Sequence, residues 1–189
     1  YDIAQKFGVE VVFHSMIKVE GVTVKEFRQQ KINLADFTAI IFTSRTAVDH
    51  YFRMCEESRV NVPDDMRYVC TTEQIAHYLQ KYIVYRKRKI SFGITGKLSD
   101  PQFLAAVNKI KKEKFLMPVS DMNKEDSTAL EKIGINLTKG VMFRTLTNDF
   151  TPDEPFDYDV LLFFSPSGIK SLEKNFPDFD QSVNGKYIG

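Results

Sequence analysis

The amino-acid sequence predicts an α/β protein built from two similar units with parallel sheets, and three observations carry that prediction. Ile40-Ile-Phe-Thr-Ser-Arg-Thr-Ala-Val48 and Leu161-Leu-Phe-Phe-Ser-Pro-Ser-Gly-Ile169 read as copies of one another. Each is an apolar run short enough for a buried strand, closed by a hydroxyl-rich turn that leads into a helix-patterned segment. Short apolar runs alternate with helical segments along the whole chain, which implies parallel strands joined by right-handed crossovers. Residues 147–159 break the rhythm. They carry Asp149, Asp153, Glu154, Asp157 and Asp159 beside Pro152 and Pro155, and read as an extended, solvated linker.

In chain order, residues 1–7 form a short helix ended by Gly8, a residue suited to the position after a helix, and residues 9–13 form a strand. A helix over 24–30 precedes the strand at 39–43 and the helix at 46–57. A strand at 68–70, a helix over 73–82, a strand at 89–92 and a helix over 101–112 follow. A strand at 115–117, a helix over 124–133 and a strand at 140–145 lead to the linker, and the second copy of the repeat adds a strand and a helix. The chain opens within a helix that has no strand before it and closes on Lys186-Tyr-Ile-Gly189, a strand entering a turn. The expectation is a native protein that continues past both termini.

Composition narrows the function. With 189 residues, 43% hydrophobic and 27% charged, the chain suits one large or two small domains. Twenty-six basic residues against 25 acidic ones leave a net charge of +1, no footprint for nucleic acid or an anionic membrane. No apolar run approaches a membrane span, and nothing resembles a signal peptide. Cys55 and Cys70 make neither a disulfide framework nor a metal spacing, and read as reduced thiols of a cytoplasmic protein.

The turns are where ligand chemistry is expected. In α/β units ligands sit beyond the carboxyl ends of the strands, where turn backbone and helix N-termini present N–H groups to an anion. Two such turns suit a polyanion held between two lobes. Thr43, Ser44 and Arg45 form the first turn, and Ser165, Ser167 and Gly168 the second, with Pro166 fixing φ. Thr71 and Thr72 close another strand, and Ser120 and Lys124 follow Pro118, the lysine offering a point charge. Each hydroxyl also reads as a helix cap, which is compatible with anion binding because both use the same helix end.

Other signals exclude more than they support. His14, His50 and His77 are too scattered for a ligand pair, and the acidic linker lacks calcium-loop spacing, so no metal is expected. Gly93-Ile-Thr-Gly-Lys97 lacks the gap of a phosphate loop. Arg86-Lys-Arg-Lys89 has no interleaved aromatics and reads as a solvated strand edge that discourages aggregation.

The order of Ile41-Phe-Thr-Ser44, Tyr68-Val-Cys-Thr-Thr72, Lys114-Phe-Leu-Met-Pro118, Gly140-Val-Met-Phe-Arg-Thr145 and Phe163-Phe-Ser-Pro-Ser-Gly168 resembles the uroporphyrinogen-III synthase family. The resemblance covers essentially the whole chain, and the last motif is its most specific part. It implies two flavodoxin-like or Rossmann-like lobes with a cleft between them, the second domain inserted into the first through a two-stranded ladder. On this chain the crossings fall near residues 16–20 and 145–151, giving a discontinuous domain of 1–18 plus 148–189 and an inserted domain of 19–147. The family's second Gly-Pro-Thr-Thr-like turn would follow Gly189.

The resemblance further implies cofactor-free chemistry by a monomer. Family members take the linear tetrapyrrole hydroxymethylbilane, lose its hydroxyl, invert the terminal ring and close the macrocycle. The substrate carries eight carboxylates, so recognition calls for many N–H and hydroxyl donors rather than one strong base. Loss of hydroxide leaves a resonance-stabilised cation, and the enzyme's task is mainly to hold a floppy chain for attack at the correct carbon. Phe143 stands where family members commonly carry a tyrosine, and phenylalanine donates no proton. Gln74 stands where relatives often place threonine. The catalytic group is therefore open, and the rival is a non-catalytic two-lobed module that binds a tetrapyrrole or another polycarboxylate.

Overall fold

The computed structural model describes residues 2–122, 126–150, 158–164, 166–180 and 186–188. Backbone contacts divide the chain into two compact units, one of Tyr1–Val19 with Thr145–Gly189 and one of Glu20–Arg144.

In the larger unit the hydrophobic pattern dictates a sheet with helices on both faces. Strand β2 (Ala39–Phe42) is buried at all four positions, as a central strand must be. It pairs in parallel with β3 (Arg67–Cys70) on one edge and β5 (Lys114–Ser120) on the other, while β4 (Ile90–Phe92) adds to β3 and β6 (Asn136–Thr147) to β5. With β1 (Ile17–Gly21) the order is β1-β6-β5-β2-β3-β4. Successive side chains alternate between faces. Ile40 and Phe42 pack with Ala47, Tyr51 and Met54 of α3 (Arg45–Glu57), Phe27 of α2 (Val24–Gln29) and Ile75 of α4 (Glu73–Tyr78). Ala39 and Ile41 pack with Phe103 and Val107 of α5 (Pro101–Lys109) and Leu130 of α6 (Thr128–Ile133).

The sheet is not wholly parallel. Val22 donates its N–H to the Met142 carbonyl and Asn148 to that of Met16, both at 2.9 Å, so partner numbers fall on β6 as they rise along β1. That is antiparallel pairing.

The smaller unit holds α1 (Asp2–Lys6), then β7 (Val160–Leu162) paired in parallel with β8 (Lys186–Ile188), and α7 (Pro166–Asn175). Leu161, Phe163 and Leu172 form its core, with Met16, Tyr158, Ile169, Phe176 and Phe179 packed on them.

Several boundaries differ from the sequence expectation. Residues 9–16 are not a strand: Val9, Val11, Val12 and Phe13 are 41–69% exposed, and no described strand supplies a ladder to them. Strand β5 runs past Pro118, although proline lacks an N–H. Its register with β2 covers Phe115 and Leu116 and stops short of Pro118, beyond which the strand continues in register with β6. The helix expected over 73–82 stops at Tyr78 and continues as a 3₁₀ turn, Leu79–Lys81. The helix expected over 124–133 is α6, closed by Gly134 at φ +73°; residues 124 and 125 lie outside the described residues. The linker is shorter than expected at its start. Strand β6 reaches Thr147, and Asn175 ties down residues 148–150 by donating from Nδ2 to the Asn148 carbonyl and accepting from Phe150 N–H. Residues 151–157 lie outside the described residues.

Candidate functional site

Strand order locates the site within the larger unit. From β2 the chain winds outward through β3 to β4, returns to place β5 on the other edge of β2, and ends at β6. The winding therefore reverses between β2 and β5, and in open α/β sheets ligands bind beyond the carboxyl ends of the strands at that point. Thr43 and Ser44 form the turn after β2, Arg45 opens α3, and Ser120 is the last residue of β5.

Each turn residue has a local reason for its conformation. Ser44 is extended and caps α3, its Oγ accepting the Ala47 N–H at 3.0 Å. Thr72 caps α4 by accepting from Ile75 at 3.4 Å. Capping uses a hydroxyl's lone pair and leaves its O–H to donate. Thr71 is 1% exposed; its N–H donates to the Phe42 carbonyl and its hydroxyl to the Thr43 carbonyl at 3.5 Å. Thr71 thus ties the β2 and β3 turns together from a buried position.

Arg45 is exposed, with its guanidinium 5.4 Å from the Tyr78 ring centre. Tyr78 donates to both oxygens of Asp49 at 2.9 and 3.0 Å, Lys81 donates to Asp49 at 2.9 Å, and the Tyr82 hydroxyl donates to the same carboxylate. Burial raises the Asp49 pKa, but the donors from Tyr82, Lys81 and Tyr78 outweigh it and hold the group below its ordinary value. This cluster sets the platform under Arg45, and sequence reasoning missed it. Tyr78, Lys81 and Tyr82 share a helical spacing that was legible; their common acceptor on α3 was not.

Across the switch point, Ser120 follows a register shift after Val119 and stands opposite Phe143. Phe143 is 9% exposed and stacks on His50, centroids 5.2 Å apart and planes 17° from parallel. Arg53 Nε donates to His50 Nδ1 at 3.2 Å, and the same guanidinium donates to Glu57 and to the Val22 and Met142 carbonyls. With Nδ1 accepting, the proton of the neutral ring sits on Nε2. Burial, then the Arg53 charge, lower the His50 pKa and keep the ring neutral near pH 7. One residue along, Arg144 pairs with Glu26 at 2.6 Å, which with Thr23 holds that carboxyl at about 2. Lys124 lies outside the described residues.

The second turn is described only in part. Ser165 lies outside the described residues, while Ser167 is half-buried and Gly168 buried in the first turn of α7. A Cβ on Gly168 would approach the Phe163 ring to 3.0 Å, so the close packing of helix on strand explains the glycine.

In the loop at residues 93–97 the amides of Gly93, Ile94, Thr95 and Lys97 are occupied. Asp100 caps α5 at the Phe103 N–H, 2.9 Å, and accepts from Thr95 and Ile94 at 2.9 and 3.3 Å, which holds its carboxyl well below the usual range. An internal carboxylate thus fills the place a phosphate would take. Among the described residues no group of three or more His, Cys, Asp or Glu side chains could hold a metal ion. Cys55 and Cys70 are free and buried, and burial pushes their thiols up to about 11 and about 12. No helix among the described residues is long and apolar enough to cross a membrane.

Comparison with known proteins bears on this geometry. A family model described as uroporphyrinogen-III synthase HemD matches residues 2–189. The solved structure of uroporphyrinogen-III synthetase from Helicobacter pylori 26695 is similar, with a TM-score of 0.57 at 16% identity, covering 91% of this chain and 74% of that one. A selenomethionine-labelled mutant of uroporphyrinogen III synthase from the extremely thermophilic bacterium Thermus thermophilus gives a TM-score of 0.56 at 14% identity, covering 92% and 71%. At these identities the likeness concerns the fold. No curated protein matches the chain.

Proposed function

The chain belongs to the uroporphyrinogen-III synthase family, enzymes that cyclise hydroxymethylbilane, and from that premise we propose that it binds this substrate through the hydroxyl turns of both its units. The observation that carries the reading is the winding reversal between β2 and β5, at which the turn of Thr43 and Ser44, the first helical residue Arg45 and the strand end at Ser120 share one end of one sheet. Ser44 and Thr72 keep their O–H groups available while capping, and Arg45 adds a charge that pairs bidentately with carboxylate. Lys124, Ser165, Ser167 and Gly168 complete the proposed set on sequence grounds. The two-lobed arrangement with a cleft, the domains 1–18 plus 148–189 and 19–147, and a cytoplasmic monomer belong to the same proposal. The division of the chain into two compact units supports the domains.

When the substrate hydroxyl departs, the C–O bond breaks with its electron pair on oxygen, the ring nitrogen supplies the compensating pair, and solvent completes protonation to water. We assign the hydrogen bond to the departing oxygen to His50 Nε2, because a neutral imidazole beside the carboxyl end of the sheet can donate there and Phe143 cannot. Supplying hydroxymethylbilane and separating the products tests the reading: isomer III above the spontaneous isomer I is expected. Isomer I alone, with measurable binding, would instead identify a binding module. His50→Ala should slow turnover by up to about 10²-fold, and Phe143→Tyr in that background should restore part of the loss. An unaltered rate in His50→Ala would remove the imidazole from the mechanism.

A further inference from the structure

The basic run at residues 86–89 has no part in the reading above, and the structure gives it a place. Arg86 precedes a 3₁₀ turn, Lys87–Lys89, in which residues three apart eclipse, so Arg86 and Lys89 line one cavity. The cavity holds about 360 Å³ and lies at the amino ends of β3 and β4, beside Tyr68 and Ile90. The switch-point turns are at the other end of the strands.

Its lining specifies a ligand. Phe52 and Tyr82 stack on each other, 4.5 Å between centroids and 6° from parallel, and Lys81 lies 5.0 Å over the Tyr82 ring. Both rings line the cavity, so an aromatic ring entering it meets aromatic partners in the wall. Tyr68 is 3% exposed and lines the floor; its hydroxyl makes no hydrogen bond among the described residues, so a donor is available there. Arg86 and Lys89 bring two cations to the lining, and Asp64 is its one carboxylate. A volume near the lower end for ligand pockets admits one ring with short arms and excludes a tetrapyrrole. We infer that this cavity is a second binding site, for a single flat aromatic ring carrying two carboxylates, which Arg86 and Lys89 pair with while Tyr68 donates from the floor.

A free monopyrrole dicarboxylate and a benzene dicarboxylate share that chemistry and differ in the ring N–H that Asp64 can accept. The test is titration of the full chain with a pyrrole bearing acetate and propionate arms, and separately with phthalate, followed by calorimetry and methyl NMR. Saturable binding at about 1 mM or below is expected, with shifts at the methyls of Val62, Ile83, Val84 and Ile90. Tighter binding of the pyrrole assigns its N–H to Asp64, and equal binding leaves the broader class. Replacing Arg86 and Lys89 together by glutamine should weaken binding at least about tenfold, while Lys111→Gln with Lys112→Gln leaves it unchanged. Both residues lie at the surface or half-buried, and a thermal melt verifies the fold. No saturable binding by either probe, undiminished affinity in the Arg86/Lys89 variant, or shifts confined to the methyls around Ser44 would overturn the proposal.

Discussion

The two copies of the sequence repeat have followed different courses in three dimensions. Ile40, Ile41 and Phe42 of the first are wholly buried. In the second, Leu161 and Phe163 are 8% exposed, but Leu162, the counterpart of Ile41, is 59% exposed and Phe164 is 88% exposed. The cause lies in their neighbours. Strand β2 has a partner on each edge and helices on each face, whereas β7 has β8 as its neighbour in the sheet order and α7 on its buried side. Matching apolar runs encode a matching strand-turn-helix, but the surroundings decide whether one face or both are dry.

The sharpest test of that contrast pairs equivalent positions. Ile41→Ala should cost about 2–5 kcal/mol in urea unfolding, and Leu162→Ala should stay within about 0.5 kcal/mol. Equal losses would show that the copies share one environment. The turns come next: Ser44→Ala and Ser165→Ala should each weaken hydroxymethylbilane binding by about 1–2 kcal/mol if both copies hold carboxylates. Loss at Ser44 alone would confine recognition to the larger unit. At the next helix position Ala47 is fully buried and its counterpart is Gly168. Ala47→Gly should lower stability by about 0.5–1 kcal/mol, with Gly168→Ala also unfavourable because Phe163 has to move. A stabilised Gly168→Ala in thermal melts would contradict the packing described.

The smallest effect is electrostatic. Glu26, bonded by Arg144 and Thr23, has its pKa lowered from 4.5 to about 2, so its contribution is complete above pH 4.5 and is lost as pH falls towards 2. Asp149, paired with Lys174 at 2.7 Å, is also lowered, yet the two side chains are 71% and 55% exposed, where solvent screens the pair. Melting temperatures measured from pH 6 to pH 2 should therefore show a shallower acid limb in Glu26→Gln and almost no change in Asp149→Asn. Equal flattening by both variants would argue that exposure does not separate them.

Local signals are strong enough to reveal most elements of the larger unit from the sequence. Ser44 and Thr72 announce helix starts, and runs such as Ala39–Phe42 announce buried strands, because these choices are made by backbone hydrogen bonding within a few residues. The same logic fails at residues 9–13, an apolar run that remains irregular, and at β5, where Pro118 signals the end of a strand that in fact continues. In both cases the outcome depends on which distant strand is or is not alongside. The site was legible as turns and not as an arrangement. Thr43–Arg45 and Ser120 could be named from composition, whereas Thr71's inward hydroxyl, the Asp49 platform beneath Arg45 and the His50 ring on Phe143 could not.

The sequence by itself determined the α/β class, the hydroxyl turns and the family, since each rests on short-range order of residue types along the chain. Only the tertiary structure decided the antiparallel pairing of β1 with β6, the reversal of winding between β2 and β5, and the meeting of Arg86 with Lys89 at one cavity. Those features join residues far apart in sequence, and their energies come from packing and pairing that a linear pattern does not contain.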